Sequence, residues 1–225
     1  MNTAIGPLPP LIVFDRVTKR YGDRAVLEQL SFVIARNDLV VLSGPAGTGK
    51  TTVIRLIAAL ERPTSGTIIV AGEPLAEIRQ RALPHLRRSI GIVPQEATLL
   101  EDRDVLENVA LPVVAAGLSR GEARSRAATV LHRVGLDDVD PGTLPARLSG
   151  SVRQRIAIAR ALVNRPALLL VDEPLAHLDD ANAESVIKLL EQFVGAGVTV
   201  MLAAQGLPAL PARARIIGLA EGATG

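Results

Sequence analysis

The sequence predicts an α/β fold: a parallel sheet core, an antiparallel β subdomain around its first strand, and an inserted α-helical lobe. Three observations carry that prediction. Residues 39–42 and 167–171 are wholly apolar runs that each end in a chemically distinctive group, as buried parallel strands do. Residues 12–14, 30–34 and 67–70 are β-type runs bounded by Gly, Asp or Asn, which suggests antiparallel pairing. Residues 97–147 switch to helical spacing.

In chain order, residues 5–10 read as a loose arm rich in proline. Leu39-Val40-Val41-Leu42 reads as the first core strand, and a helix is expected to begin at Lys50 and to run through Val53 to Leu60. In the inserted lobe, Ser119-Arg120-Gly121-Glu122 is a capping-box pattern. Ala123, Ala127, Val130, Leu131 and Val134 then follow at helical spacing until Gly135 stops the run. Ala167-Leu168-Leu169-Leu170-Val171 and Val198-Thr199-Val200-Met201-Leu202 read as two further core strands.

Between the first core strand and its helix lies Gly44-Pro45-Ala46-Gly47-Thr48-Gly49-Lys50-Thr51-Thr52, a G-x-x-x-x-G-K-[ST] phosphate loop. Backbone N–H groups can wrap a phosphate only where the chain turns tightly without Cβ atoms in the way, and the three glycines supply that freedom. The helix N-terminus adds partial positive charge, Lys50 would reach the β- and γ-phosphates, and the Thr51 hydroxyl would ligate Mg2+. By chance such a pattern arises on the order of once per hundred chains of this length. The flanking strand and helix make chance a poorer account still.

A second motif completes a nucleotide site. Asp172-Glu173-Pro174 closes the 167–171 strand, where Asp172 would bind the magnesium shell and Glu173 would polarise an attacking water. Together the motifs point to the P-loop NTPase class with a RecA-like parallel core, and to a nucleoside triphosphate, ATP or GTP, with Mg2+ as ligands.

Composition sets limits. In 225 residues, 25 Lys and Arg stand against 23 Asp and Glu, so nucleic acid as a partner gets no support. Absence of cysteine rules out a disulfide scaffold. No charged segment followed by an apolar one opens the chain. The longest apolar run, Val109 to Leu118, is broken by Pro112 and falls well short of the roughly 20 residues that span a bilayer. Membrane association is therefore expected through a partner.

Leu148-Ser149-Gly150-Ser151-Val152-Arg153-Gln154-Arg155, followed by residues 156–161, resembles the signature helix of ATP-binding-cassette (ABC) proteins. The resemblance spans nearly the whole chain and implies one nucleotide-binding domain over 1–225, with a core lobe at 11–96 and 148–225 and a helical lobe at 97–147. It implies that Tyr21 stacks on adenine, and that Gln95, after Ile92-Val93-Pro94, is the Q-loop residue touching magnesium and the attacking water. Leu178-Asp179 takes the D-loop position. Ser149, Gly150 and Ser151 would act in trans on a γ-phosphate held by the opposite subunit of a head-to-tail homodimer. Residues 85–91, 99–112 and 177–181 are most similar to the cell-division branch of the family. That branch implies an FtsX-like integral membrane partner and a place on the cytoplasmic face of the inner membrane. A transport ATPase of the lipoprotein-release or amino-acid type, or a nucleotide-gated binding module, would share the same motifs.

Two motifs, the signature and the switch, depart from the family pattern. Ser151 replaces the second glycine of the signature and Val152 its polar residue, and Ser151 would crowd the phosphate if that position needs a glycine-only conformation. Gln205 stands where the family has its switch histidine. Glutamine can donate a hydrogen bond to the γ-phosphate but carries neither the charge nor the proton of imidazole. ATP binding with slow hydrolysis is the expectation. His177, one residue before the D-loop pair, is read as a solvated interface residue.

Overall fold

The computed structural model describes residues 9–96, 98–176, 178–206 and 210–219. β1 (Ile12–Tyr21) and β2 (Arg24–Ile34) form a hairpin; β4 (Ser65–Val70) and the short β5 (Glu73–Pro74) extend it into an antiparallel sheet of order β2-β1-β4-β5. β3 (Leu39–Ser43), β6 (Ile90–Val93), β7 (Leu168–Asp172), β8 (Thr199–Ala204) and β9 (Arg215–Gly218) form a parallel sheet of order β6-β7-β8-β3-β9.

The continuous apolar runs follow from burial on both faces of this second sheet. Side chains alternate along a strand. Leu168 and Leu170 of β7 therefore join Val40 and Leu42 of β3 and Met201 and Ala203 of β8 in a core shared with α1 (Lys50–Ile57) and the antiparallel sheet. Leu169, Val171, Leu39, Val41, Val200 and Leu202 face the other way, into a core built with α3 (Val105–Ala115), α4 (Arg120–Arg133), α5 (Gly150–Leu162) and α6 (Asp180–Gly195). A short α2 (Leu83–Arg88) precedes β6. Register brings the carboxyl ends of β3, β7 and β8 level, with Asp172 opposite Ala203 and Ser43 opposite Ala204. Loops leaving those ends share one edge of the sheet, where ligands of open α/β sheets bind.

In the helical lobe, Ser119 caps α4 in a reciprocal box with Glu122, and Ala123, Ala127, Val130 and Leu131 are buried, as the spacing predicts. Gly135 follows at φ 69°. A second capping box, Asp104 with Glu107, starts α3. Asn108, fully buried, accepts from Leu100 N–H at 2.8 Å and donates to the carbonyls of Leu100, Arg103 and Asp104, pinning the preceding loop to α3.

α1 is shorter than expected: it ends at Ile57, and Leu60 is exposed. Ala59 takes a left-handed φ of 51°, and the N–H groups of Leu60 and Glu61 both turn back to Arg55 O, at 2.9 and 3.3 Å. This is a glycine-type helix stop made by an alanine, so nothing in the residue type signals it.

Candidate functional site

The phosphate loop follows β3, and its N–H groups are turned by two left-handed glycines, Gly47 at φ 81° and Gly49 at φ 93°. A Cβ on Gly49 would stand 2.8 Å from both Val26 and Leu27, so side chains of β2 close against the loop there. Pro45, Ala46 and Gly47 are exposed while Thr48 is buried, its hydroxyl donating to Pro45 O at 2.9 Å. α1 begins directly at Lys50 with no acidic residue in its first turn, leaving the N-terminal field free for an anion. Thr51 is half-buried and Thr52 buried in that turn.

Lys50 is buried, and its ammonium donates to Gly44 O at 2.8 Å and Pro45 O at 2.7 Å. It also lies 3.3 Å from Glu173 Oε1. Glu173 Oε2 accepts from Gln95 Nε2 at 3.3 Å and from Gln205 Nε2 at 2.7 Å. One buried carboxylate thus gathers three groups from three separate segments: the start of α1 beyond β3, and the loops after β6 and β8. Glu173 holds this position at φ 43°, a left-handed conformation that costs a non-glycine residue about 1–3 kcal/mol. Its N–H is anchored on Ala203 O at 3.0 Å, the rung that continues the β7–β8 pairing. Such strain persists only where the surroundings over-determine it, and here the ammonium and two carboxamides do so.

Asp172, at the end of β7, is 5% exposed, and its Oδ1 has no hydrogen-bond partner among the described residues. Burial raises its carboxyl above the usual aspartate range; the Thr51 hydroxyl opposes this, the Glu173 charge adds to it, and Lys50 opposes it. An orphaned carboxylate oxygen beside a hydroxyl fits a hard cation. No cluster of three or more His, Cys, Asp or Glu residues stands ready to enclose a metal among the described residues. That suits Mg2+, which takes one or two carboxylates and completes its shell with water and substrate phosphates.

The other candidate residues lie around this centre. A cavity of about 450 Å³ is lined by Gln95, Gly150, Gln154, Glu173 and Leu178, so the Q-loop, signature helix and D-loop border one space. Gln154, which the motif reading passed over, is buried with Nε2 unpartnered among the described residues. Ser149 caps α5, accepting from Val152 N–H, and its Oγ lies 3.1 Å from Ser151 Oγ. No hydrogen bond joins that pair to Lys50 or Glu173 within the chain, among the described residues. Ser151 sits in the first turn of α5 with ordinary helical backbone, so the glycine-only conformation that would make it crowd a phosphate is not required. Asp179 caps α6, and two hydrogen bonds from Asn182, the backbone one foremost, hold its carboxyl below the usual range. Tyr21 closes β1, is 44% exposed, and donates to Glu61. His177 lies outside the described residues.

A family model described as "ABC transporter" matches residues 27–176. The cell division ATP-binding protein FtsE of Escherichia coli (strain K12) is 40% identical over 214 residues, covering 94% of this chain and 96% of that protein. The methionine import ATP-binding protein MetN of Rhizobium meliloti (strain 1021) is 41% identical over 198 residues, 85% of this chain and 55% of that one. Among solved structures, the dimeric post-hydrolysis state of an ATP-binding cassette bound to ADP and Pi matches with a TM-score of 0.84 at 31% identity, covering 94% of this chain and 95% of that one.

Proposed function

The chain belongs to the ABC transporter family, and we propose that within it this protein is the MgATP-hydrolysing subunit of a membrane complex with an FtsE-like role in cell division. The observation that carries the ATPase reading is the convergence of Lys50, Gln95 and Gln205 on Glu173. Full-length identity to FtsE supports the cell-division role, since the match runs across nearly all of both chains.

In this reading the chain is one nucleotide-binding domain, with a core lobe at 11–96 and 148–225 and a helical lobe at 97–147. Residues Gly44 to Thr52 cradle the phosphates, with Lys50 leaving its loop carbonyls for the β- and γ-oxygens. Thr51, Asp172 and Gln95 would hold Mg2+, which offsets phosphate charge when bound. Glu173 takes the proton of the attacking water. Gln95 and Gln205 orient that carboxylate and sense the γ-phosphate. Ser149, Gly150 and Ser151 reach the γ-phosphate bound by a second copy, across a head-to-tail homodimer, with Leu178 and Asp179 lining the seam. Turnover is slow because Gln205 donates a neutral hydrogen bond and holds no titratable proton.

No helix among the described residues is long and apolar enough to cross a membrane. The protein sits on the cytoplasmic face of the inner membrane by binding an FtsX-like integral membrane protein, whose cytoplasmic helix enters the groove near Gln95. The resemblance to MetN keeps one alternative, a subunit of a substrate-transporting complex. A nucleotide-gated module with negligible turnover is the other, carried by Ser151, Val152 and Gln205.

Affinity purification from detergent-solubilised membranes, with the captured partner identified and phosphate release measured on the complex, tests all three. Capture of an FtsX-like protein with ATP hydrolysis is the expected result. A substrate permease would replace the cell-division reading, and absence of phosphate release from the intact complex would replace the ATPase reading.

A further inference from the structure

Tyr21 is held by a set of side chains that the nucleotide motifs do not include. Its hydroxyl donates to Glu61 Oε2. Lys19 Nζ lies 3.1 Å from the same oxygen, donates to Arg62 O at 2.9 Å, and stands 4.9 Å from the centre of the Tyr21 ring. Arg55, on α1, reaches Glu61 Oε1 at 3.4 Å. The side chains of Lys19 and Glu61 are only 14% and 20% exposed, whereas Tyr21 itself is 44% exposed. The ammonium covers part of the ring while the rest of its surface stays open.

Two routes connect this cluster to the phosphate loop. Glu61 hangs from the end of α1 through its N–H to Arg55 O, and α1 begins at Lys50. On the other side, β2 pairs Leu27 with Lys19 and Arg24 with Tyr21, while Val26 and Leu27 pack against Gly49. The ring therefore keeps a set distance from the phosphate cradle, and a base arriving on it meets a surface whose ordering is already complete. The ammonium over the ring adds a cation–π contact that also restrains it.

We propose that Glu61, assisted by Lys19, is a positioning residue that fixes Tyr21 as the purine platform and couples it through α1 to the phosphate loop. The inference rests on the reading of Tyr21 as the base-stacking residue. The Tyr21 hydroxyl and Lys19 hold the Glu61 carboxyl below its usual value of 4.5, so the clamp stays ionised at neutral pH.

Tyr21 is the only tyrosine and the chain has no tryptophan, so intrinsic emission reports on this ring alone. MgATP titrated into the full-length protein should quench that emission. Glu61→Ala should brighten the nucleotide-free signal, because a carboxylate acceptor is lost, and raise the ATP Kd roughly three- to tenfold, the worth of about one hydrogen bond. Glu61→Gln, which keeps an acceptor of the same shape, should recover part of the affinity and guards against a folding defect. In steady state the change should appear in KM, with kcat moving by less than about twofold. Quenching in the wild type together with wild-type affinity in both Glu61 variants overturns the clamp. Binding of ATP without any change in wild-type emission overturns the Tyr21 platform itself.

Discussion

Replacing Gln205 isolates the contact on which the proposed chemistry most depends. Gln205→Leu keeps roughly the volume of the side chain and removes its donor. Gln205 Nε2 lies 2.7 Å from Glu173 Oε2, while Gln95 and Lys50 each stand 3.3 Å from the same carboxylate. Glu173 is 9% exposed, so solvent does not readily replace the lost donor. A hydrogen bond to a charged group is worth about 1.5–3 kcal/mol. If that energy orients the base in the transition state, the rate falls roughly ten- to a hundredfold, at about 1.36 kcal/mol per decade. Gln205→His supplies a donor that can also carry charge, and should raise the rate by a comparable factor. The assay is single-turnover and steady-state phosphate release, with ATP affinity measured alongside. Leucine leaving the phosphate-release rate at the wild-type value would refute the argument, because the contact would then hold the base for no catalytic purpose.

Three further outcomes follow from the same geometry. Asp172→Asn should abolish Mg-dependent hydrolysis yet raise the Tm of the nucleotide-free fold at neutral pH. The sign follows from burial raising the folded-state carboxyl above its ordinary 3.8: the native protein binds that proton more tightly than the unfolded chain. The penalty on the wild type is therefore full at neutral pH and fades as pH falls through the raised value, so the gap in Tm should narrow on acidification in metal-free thermal melts. Ser151→Gly should change phosphate release by less than about threefold, under 1 kcal/mol, because Ser151 is already helical; a tenfold rise would contradict this. Asn108→Ala should lower Tm by roughly 5–10 °C, since about 2–3 kcal/mol is lost when the Leu100 N–H loses a fully buried partner.

How much of this was legible in the sequence depended on how local each feature is. The phosphate loop needs only nine consecutive residues, and two of its three glycines, Gly47 and Gly49, adopt the left-handed turns their residue type foretells. β7 was readable because burial on both faces leaves no polar position until Asp172. The Ser119–Glu122 box was recognised; the Asp104–Glu107 box has the same spacing with Asp in place of Ser, and could have been found by the same rule. The hub at Glu173 was not visible, because it joins residues 50, 95, 173 and 205 only through the parallel register of β3, β6, β7 and β8. Its positive φ gives no residue-type signal either. Nor did Glu61 stand out, since its link to Tyr21 depends on an alanine adopting the left-handed stop that ends α1.

The central claim is a site completed by two copies, with Lys50 and Glu173 from one and Ser149 from the other. Lys50→Ala and Ser149→Arg should each release almost no phosphate alone. Mixed and allowed to exchange, they form heterodimers with one intact composite site. Half the dimers would be mixed and each would hold one of two sites, so about a quarter of wild-type activity should return. Phosphate release by the mixture is the deciding measurement. Recovery to that level is what head-to-tail assembly predicts, and a mixture as inactive as either variant alone would contradict it.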